Sequence, residues 1–181
     1  MMNALKFFDL TGRVALVTGA GRGIGQAMTL ALADAGADIA CLYNTRYEAT
    51  AALVQERGRR FMPDQLDLTT ATPEALKRVV QQVVAELGRI DILVNNAGII
   101  RRTKAVDYSV EDWETVLQVN LNSVFHLSQA RHGRCCNRRS NRAIAAKLFR
   151  WHRSSHFRGD SRSSLHGGKA CAYRDDQGAG Q

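Results

Sequence analysis

The chain has 181 residues, 45% of them hydrophobic, and a formal net charge of +8, which allows one domain with a real core. Its apolar runs fall short of the ~20 residues a membrane span needs, and its opening Met-Met-Asn-Ala-Leu-Lys-Phe-Phe-Asp lacks the form of a secretory leader. Four cysteines, two of them adjacent, make no disulfide framework, so a reducing cytoplasm is the expected setting.

The charge is uneven. Residues 131–181 hold twelve Lys/Arg against three Asp, a net of +9, while residues 1–130 hold thirteen against fourteen acids, a net of −1. The basicity belongs to the last stretch.

In chain order, Arg13-Val-Ala-Leu-Val-Thr18 is a short apolar run that fits a strand buried on both faces. Gly19-Ala-Gly-Arg-Gly-Ile-Gly25 follows, where the chain must turn sharply and let backbone approach a ligand. Ala27, Leu30, Ala31 and Ala35 then recur at helical spacing, and Gly36 closes the helix. A helix start behind a glycine turn offers free N–H groups and a positive dipole end to a phosphate. Here the N–H groups near Arg22, Gly23 and Ile24 would face it.

Residues 38–43 predict a second strand and 47–57 a helix stopped by Gly58. Residues 60–66 read as a weaker strand, with Pro63 marking an edge. Residues 73–87 predict a helix with Pro73 in its first turn and an apolar stripe of Leu76, Val79, Val80, Val83, Val84 and Leu87, ended by Gly88. Residues 90–94 are a fourth strand. Ser109, with Asp112 three on, caps a helix running to about Ala130. Strands alternating with helices predict an α/β, Rossmann-type doubly wound parallel sheet over residues 1–130, in the strand order 3-2-1-4.

Thr18-Gly-x-x-x-Gly-Ile-Gly25, with glycines at 19, 23 and 25, resembles the cofactor turn of the short-chain dehydrogenase/reductase family. It departs from the G-x-G-x-x-G spacing of other dinucleotide folds. Asp67-Leu68 resembles the family's adenine-ring contact. Asn95-Asn96-Ala97-Gly98 resembles its Asn-Asn-Ala-Gly motif, and Val119-Asn120-Leu121 the segment carrying its catalytic asparagine. Within the family, Gly58-Arg-Arg-Phe61 and Asn96-Ala-Gly-Ile-Ile-Arg-Arg102 resemble the group that oxidises deoxy-gluconate and related keto-deoxy sugar acids.

The resemblance covers residues 9 to about 130 and implies an enzyme moving hydride between nicotinamide and a secondary alcohol or ketone of a sugar acid. It implies NAD or NADP held by Thr18, Gly19, Arg22, Gly23, Ile24, Gly25, Asn44, Asp67, Leu68, Asn95, Ala97 and Gly98. It also implies that Asn120 bends its helix and holds a water on the path to a catalytic lysine, and that intact members are homo-oligomers. The residues themselves leave cofactor choice open. An acid at the end of the second strand would bind the ribose 2′-hydroxyl of NAD. That end reads Leu42-Tyr43-Asn44-Thr45-Arg46, and Arg22 and Arg46 suit a 2′-phosphate, whereas the sugar-acid group implies NAD.

The family's catalysis needs a tyrosine with a lysine four residues on, and a serine before them. Four residues beyond Tyr43, Tyr47, Tyr108 and Tyr173 stand Tyr47, Ala51, Asp112 and Gln177. Asn120 is the one matching catalytic residue. From Arg131 on, Val, Thr, Pro, Met and Glu are absent and Arg, Ser, Gly and His dominate. This stretch reads as an irregular, low-order basic tail, with 143–149 a possible short helix and no fifth strand.

Cys135, Cys136, His152 and His156 lack zinc-finger spacing, so no metal is expected. A basic nucleic-acid-binding tail on a dinucleotide module is the alternative to the enzyme, and the less favoured one. Without a fifth strand, the fourth would present an apolar edge, and the helix bearing Trp113, Val116, Leu117, Leu121 and Phe125 would lack cover, so aggregation is expected.

The genetic code offers an account of the break. Joining the second and third bases of each codon to the first base of the next, Leu165-His166 can read tyrosine, His166-Gly167 threonine, and the codons of residues 167–170 Ala-Ala-Lys. The codons of residues 147–153 can read Ser-Phe-Ser-Gly-Gly-Ile, with the glycine from Trp151-His152 forced by the code. The tail therefore reads as an out-of-frame translation of the missing catalytic half. The interval between that Gly-Gly and the tyrosine is longer than the sugar-acid group leads one to expect, which requires a second frame change or an insertion.

Overall fold

A computed structural model describes residues 8–135 and 144–147. Its strands are β1 (Val14–Thr18), β2 (Asp38–Tyr43), β3 (Phe61–Gln65), β4 (Ile92–Asn95) and β5 (Ile144–Lys147). They form one parallel sheet in the order β3-β2-β1-β4-β5. Helices α1 (Gly23–Asp34), α2 (Glu48–Glu56), α3 (Pro73–Leu87), α4 (Val110–Leu117) and α5 (Ser123–Cys135) connect and cover it.

The apolar strands alternate their side chains between two cores, as pleating requires. Val14, Leu16, Ala40, Leu42 and Leu93 pack under α3 and α5, against Leu76, Val80, Val83 and Leu127. Ala15, Val17, Ile39, Cys41, Ile92 and Val94 face α1 and α2, against Ala33 and Val54. Pro63 lies on β3, at the sheet edge, where its missing N–H costs no ladder bond.

Helix α3 shows how its sequence sets its ends. The Thr72 hydroxyl accepts from Ala75 N at 3.2 Å, Pro73 fills the first turn, and Gly88 closes the helix at φ 89°. Leu76, Val79, Val80, Val83 and Leu87 are buried. At ~2 kcal/mol each, that stripe contributes on the order of 10 kcal/mol before entropy is counted.

Two readings of the sequence are corrected. The stripe read on α1 is only partly the one it buries: Leu30 packs against the core, but Ala27 and Ala31 are exposed, and Gly25, Thr29 and Ala33 are the buried positions. The reason is closeness of approach. A Cβ at Gly25 would overlap the Gly19 carbonyl oxygen, so only small side chains fit that face. Thr29 is tolerated because its hydroxyl donates to Gly25 O at 2.8 Å.

The second correction concerns the edge of β4. Residues 144–147, read as a short helix, form β5, and Ile92, Leu93, Val94 and Asn95 pair with Ile144, Ala145, Ala146 and Lys147. The β4 edge is therefore not bare. Its N–H and C=O groups need partners, and a short Ile-Ala-Ala run meets that need without strong intrinsic strand preference. The cover of α4 and α5 does have the gap that was anticipated: Trp113, Leu121 and Phe125 are more than half exposed. The remaining readings of the tail, including its cysteines and histidines, lie outside the described residues.

From Val119, in the five residues before α5, the buried positions step by four into the helix: Ser123, Leu127, then Arg131. Arg131 is 4% exposed; its guanidinium donates to Asp91 O at 2.6 Å, but Nε has no partner among the described residues. A buried cation incompletely bonded is costly.

At the same end of the sheet, Asp91 organises the entry to β1. Its carboxylate accepts from Val14 N at 3.0 Å and from the guanidiniums of Arg13 and Arg89. Burial alone would push its pKa up; the Val14 N–H and the two arginines outweigh that and hold it below 3.8. A carboxyl lowered in the folded state adds stability above its unfolded value and loses it as pH falls through the folded one. Asp91→Ala is expected to cost roughly 2 kcal/mol at pH 7, chiefly because it leaves the buried Val14 N–H unpaired, with a smaller loss from two half-exposed arginines. Denaturant melts should show that gap narrowing below about pH 4; a gap independent of pH would refute the assignment.

Candidate dinucleotide site

In the order 3-2-1-4 the chain leaves β1 for β2 on one side and returns to β4 on the other. The carboxyl ends of β1 and β4 therefore flank the switch point where open parallel sheets bind ligands. The glycine turn and the segment after β4 both lie there.

The turn is held from two sides. From β4, the Asn96 amide donates to Thr18 O at 3.0 Å and Gly19 O at 3.3 Å, and Ala97 N donates to the Thr18 hydroxyl at 2.9 Å. A Cβ on Gly19 would crowd Asn96 Nδ2 at 3.1 Å, and Gly19 itself sits at φ 67°. On the β2 side, Gly19 N donates to Leu42 O at 2.8 Å, and from α2 the Thr50 hydroxyl, held by Gln26, donates to Ala20 O at 3.1 Å. Gly21 lies so close to Arg46 O that no side chain fits between them.

Helix α1 starts at Gly23, and its cap residue Arg22 makes no side-chain capping bond. The first-turn N–H groups are thus free for an anion at the positive end of the helix dipole. Gly23 has φ 57° with nothing within 4 Å of where its Cβ would stand, and Ile24 is 46% exposed beside it. The turn presents backbone outward and keeps side chains away.

The other predicted site residues surround this turn unevenly. Arg22, Asn44 and Arg46 are exposed around it. The Asp67 carboxylate accepts from Thr69 N at 2.9 Å and from the Thr69 hydroxyl at 2.7 Å, bonds that lower its pKa, with the Asn44 amide adding to the effect. Leu68 is buried in the α3-side core. Asn95 is 2% exposed, and its Oδ1 has no partner among the described residues. Asn96, next to it, makes the bonds across the switch point. The residue quartet Asn-Asn-Ala-Gly was legible in sequence, but which asparagine spans to the turn was not: the pleat decides it, and both neighbours are the same residue type.

Asn120 sits in a π-turn (Gln118–Asn122) that splits the anticipated single helix into α4 and α5. Its Oδ1 accepts from Ile99 N at 3.1 Å and its Nδ2 donates to Ile99 O at 2.9 Å. The side chain thus fixes the strand exit after β4. A Cβ on Gly98 would stand 3.1 Å from Asn120 Oδ1. Arg101, on the same exit, pairs with Asp112 at 3.0 Å. The Arg59–Arg60 pair has a different place. Arg59 donates to Gly36 O, and Arg60 pairs with Asp38 at 2.8 Å and donates to Leu87 O, all at the end of the sheet remote from the glycine turn. No group of metal-ligating side chains occurs among the described residues, and no helix among them is long and apolar enough to cross a membrane.

Residues 13–144 match the family model described as short chain dehydrogenase. The 2-dehydro-3-deoxy-D-gluconate 5-dehydrogenase of Bacillus subtilis (strain 168) is 50% identical over 123 residues, which are 67% of this chain and 47% of that protein. The enzyme of the same name from Dickeya dadantii (strain 3937) is 43% identical over 125 residues, 69% of this chain and 49% of its own length. A short chain dehydrogenase from Burkholderia cenocepacia J2315, solved in complex with NADP, superposes with a TM-score of 0.66 at 40% identity, covering 69% of this chain and 51% of that one. The chain spans about half the length of the curated relatives it matches.

Proposed function

We infer that this chain, which belongs to the short-chain dehydrogenase family, carries the dinucleotide half of an oxidoreductase acting on a sugar acid such as a deoxy-gluconate. The reaction is hydride transfer between NAD(P) and a secondary alcohol or ketone. The observation that carries the reading is the glycine turn, pinned by Asn96 and Thr18 at the switch point with its helix N–H groups free. The names of its relatives support the substrate class.

The residues have separable tasks. The turn and the start of α1 bind the pyrophosphate through backbone N–H groups. Asp67 and Leu68 border the adenine side. Asn96, Ala97 and Gly98 wall the cleft towards the nicotinamide, which supplies the hydride chemistry when bound. Asn120 orients that wall through Ile99. The sequence places no lysine four residues beyond any tyrosine, so a general acid/base pair of the family's kind is missing. The chain as it stands binds dinucleotide and does not turn it over. Titrating NADPH fluorescence against the full chain tests the binding; no saturable change up to millimolar dinucleotide would remove the reading.

The 2′ preference follows from the end of β2. Asn44, Thr45 and Arg46 replace an acid there, and the contact between Gly21 and Arg46 O holds Arg46 beside the Arg22 turn. NADP is expected to bind about tenfold more tightly than NAD, from one exposed charge-assisted contact to the 2′-phosphate. Arg46→Asp should invert the order. Equal affinities for both dinucleotides in the parent chain would overturn the preference.

A further inference from the structure

The π-turn sends three consecutive side chains in different directions. Val119 points into the core shared with Leu68 and Ala71. Gln118 and Asn120 flank it. The Gln118 amide donates to Ala71 O at 2.8 Å, across 47 residues of sequence, in the segment between β3 and α3. Its Oε1 accepts from Asn122 Nδ2 at 3.1 Å, which fixes the orientation of the amide. On the other flank, Asn120 grips both backbone groups of Ile99. Ala71 follows Asp67 and Leu68 by a few residues; Ile99 follows Asn96, Ala97 and Gly98 directly. The π-turn therefore joins the two walls of the cleft by side chain-to-backbone bonds, one on each wall.

We propose that Gln118 is a positioning residue that couples these walls, so that filling the adenine side steadies residues 98–102 across the cleft. The coupling runs from Asp67 and Leu68 along the backbone to Ala71, through the Gln118 bond into the π-turn, past Val119 to Asn120, and through its two bonds to Ile99. It rests on the dinucleotide reading of the cleft. Part-buried side chain-to-backbone bonds suit such a role, since breaking the Gln118 bond strands the carbonyl of a buried residue. Ala71 is 6% exposed.

The test uses the full chain, adenosine 2′,5′-bisphosphate as a probe of the adenine side, and amide hydrogen exchange. In the parent chain the probe should slow exchange at residues 98–102, which it does not touch. In Gln118→Leu the probe should bind roughly two- to tenfold more weakly, from the loss of one hydrogen bond. At matched saturation the slowing at 98–102 should disappear, while the slowing at residues 67–71 remains. A role in folding alone would lower both equally. Gln118→Glu, which cannot donate to Ala71 O when ionised, should behave like Gln118→Leu and replaces it if the leucine variant does not fold. Unchanged slowing at 98–102 in either variant overturns the proposal, as does a parent in which the probe binds without slowing that segment. A probe that fails to bind the parent overturns the dinucleotide reading and the coupling with it.

Discussion

Supplied with NAD or NADP and 2-dehydro-3-deoxy-D-gluconate, this chain is expected to show no nicotinamide turnover, and a gene whose frame is restored from codons 128–135 onward, the second frame change or insertion included, is expected to gain at least about 10³-fold. The size follows from a positioned general acid/base, which contributes roughly 10²- to 10⁴-fold, with activation by a neighbouring cation added. The sequence motivates the repair: the shifted frame of residues 165–170 can read Tyr-Thr-Ala-Ala-Lys, the tyrosine–lysine spacing the resemblance calls for. The structure adds an independent sign at the same place. The stripe that steps by four from the π-turn into α5 is Val119, Ser123 and Leu127 until Arg131 buries a cation whose Nε has no partner among the described residues. A stripe selected to pack would not continue that way. Resequencing that confirms the present frame sinks the idea, and so does steady turnover by the chain as it stands.

Gly23→Val should reduce dinucleotide affinity by about 100-fold while leaving the fold in place. Nothing lies within 4 Å of the Gly23 Cβ position, so the added Cβ meets no protein atom and projects into the space a pyrophosphate would take. Losing two hydrogen bonds to a charged group, at ~1.4 kcal/mol each, accounts for that factor. The positive φ of 57° adds a strain of roughly 1 kcal/mol, which thermal melting should register as a small shift. Gly25→Val makes the contrasting case. Its Cβ would collide with Gly19 O and approach Asn96 Nδ2 at 2.5 Å, so the turn itself must open and the melting temperature must fall sharply. Calorimetry that finds the affinity of Gly23→Val within a few-fold of the parent would remove the phosphate role of the turn.

Elements announced by their own residues were legible before any coordinates. Gly58 and Gly88 end α2 and α3 because only glycine is at ease at φ 67° and 89°, and Pro73 and Thr72 start α3 where their chemistry suits. The Ser109 cap on Asp112 N is another such local signal. What stayed hidden depends on distance between elements. The facing of α1 is set by how near it lies to the glycine turn, and a string of Ala, Thr and Gly carries little hydrophobic contrast to reveal it. The π-turn has no composition of its own. β5 forms because β4 leaves partners unmet, a demand that resides in residues 52 positions upstream of it. At the site, the glycine spacing disclosed the phosphate turn. Asn96, Thr50 and Gln26, which hold it, look like ordinary polar residues until the fold brings them together.

The bonds from Asn96, Thr18, Thr50 and Leu42 are complete within the protein. The seven positions of the turn, four of them glycine, would be among the most disordered of an unfolded chain and are therefore already confined when a dinucleotide arrives. The conformational entropy of the turn is lost once, during folding, and does not recur at each encounter. Affinity then reflects the contacts made, with little deducted for ordering the cradle, and association need not wait for the loop to find its shape.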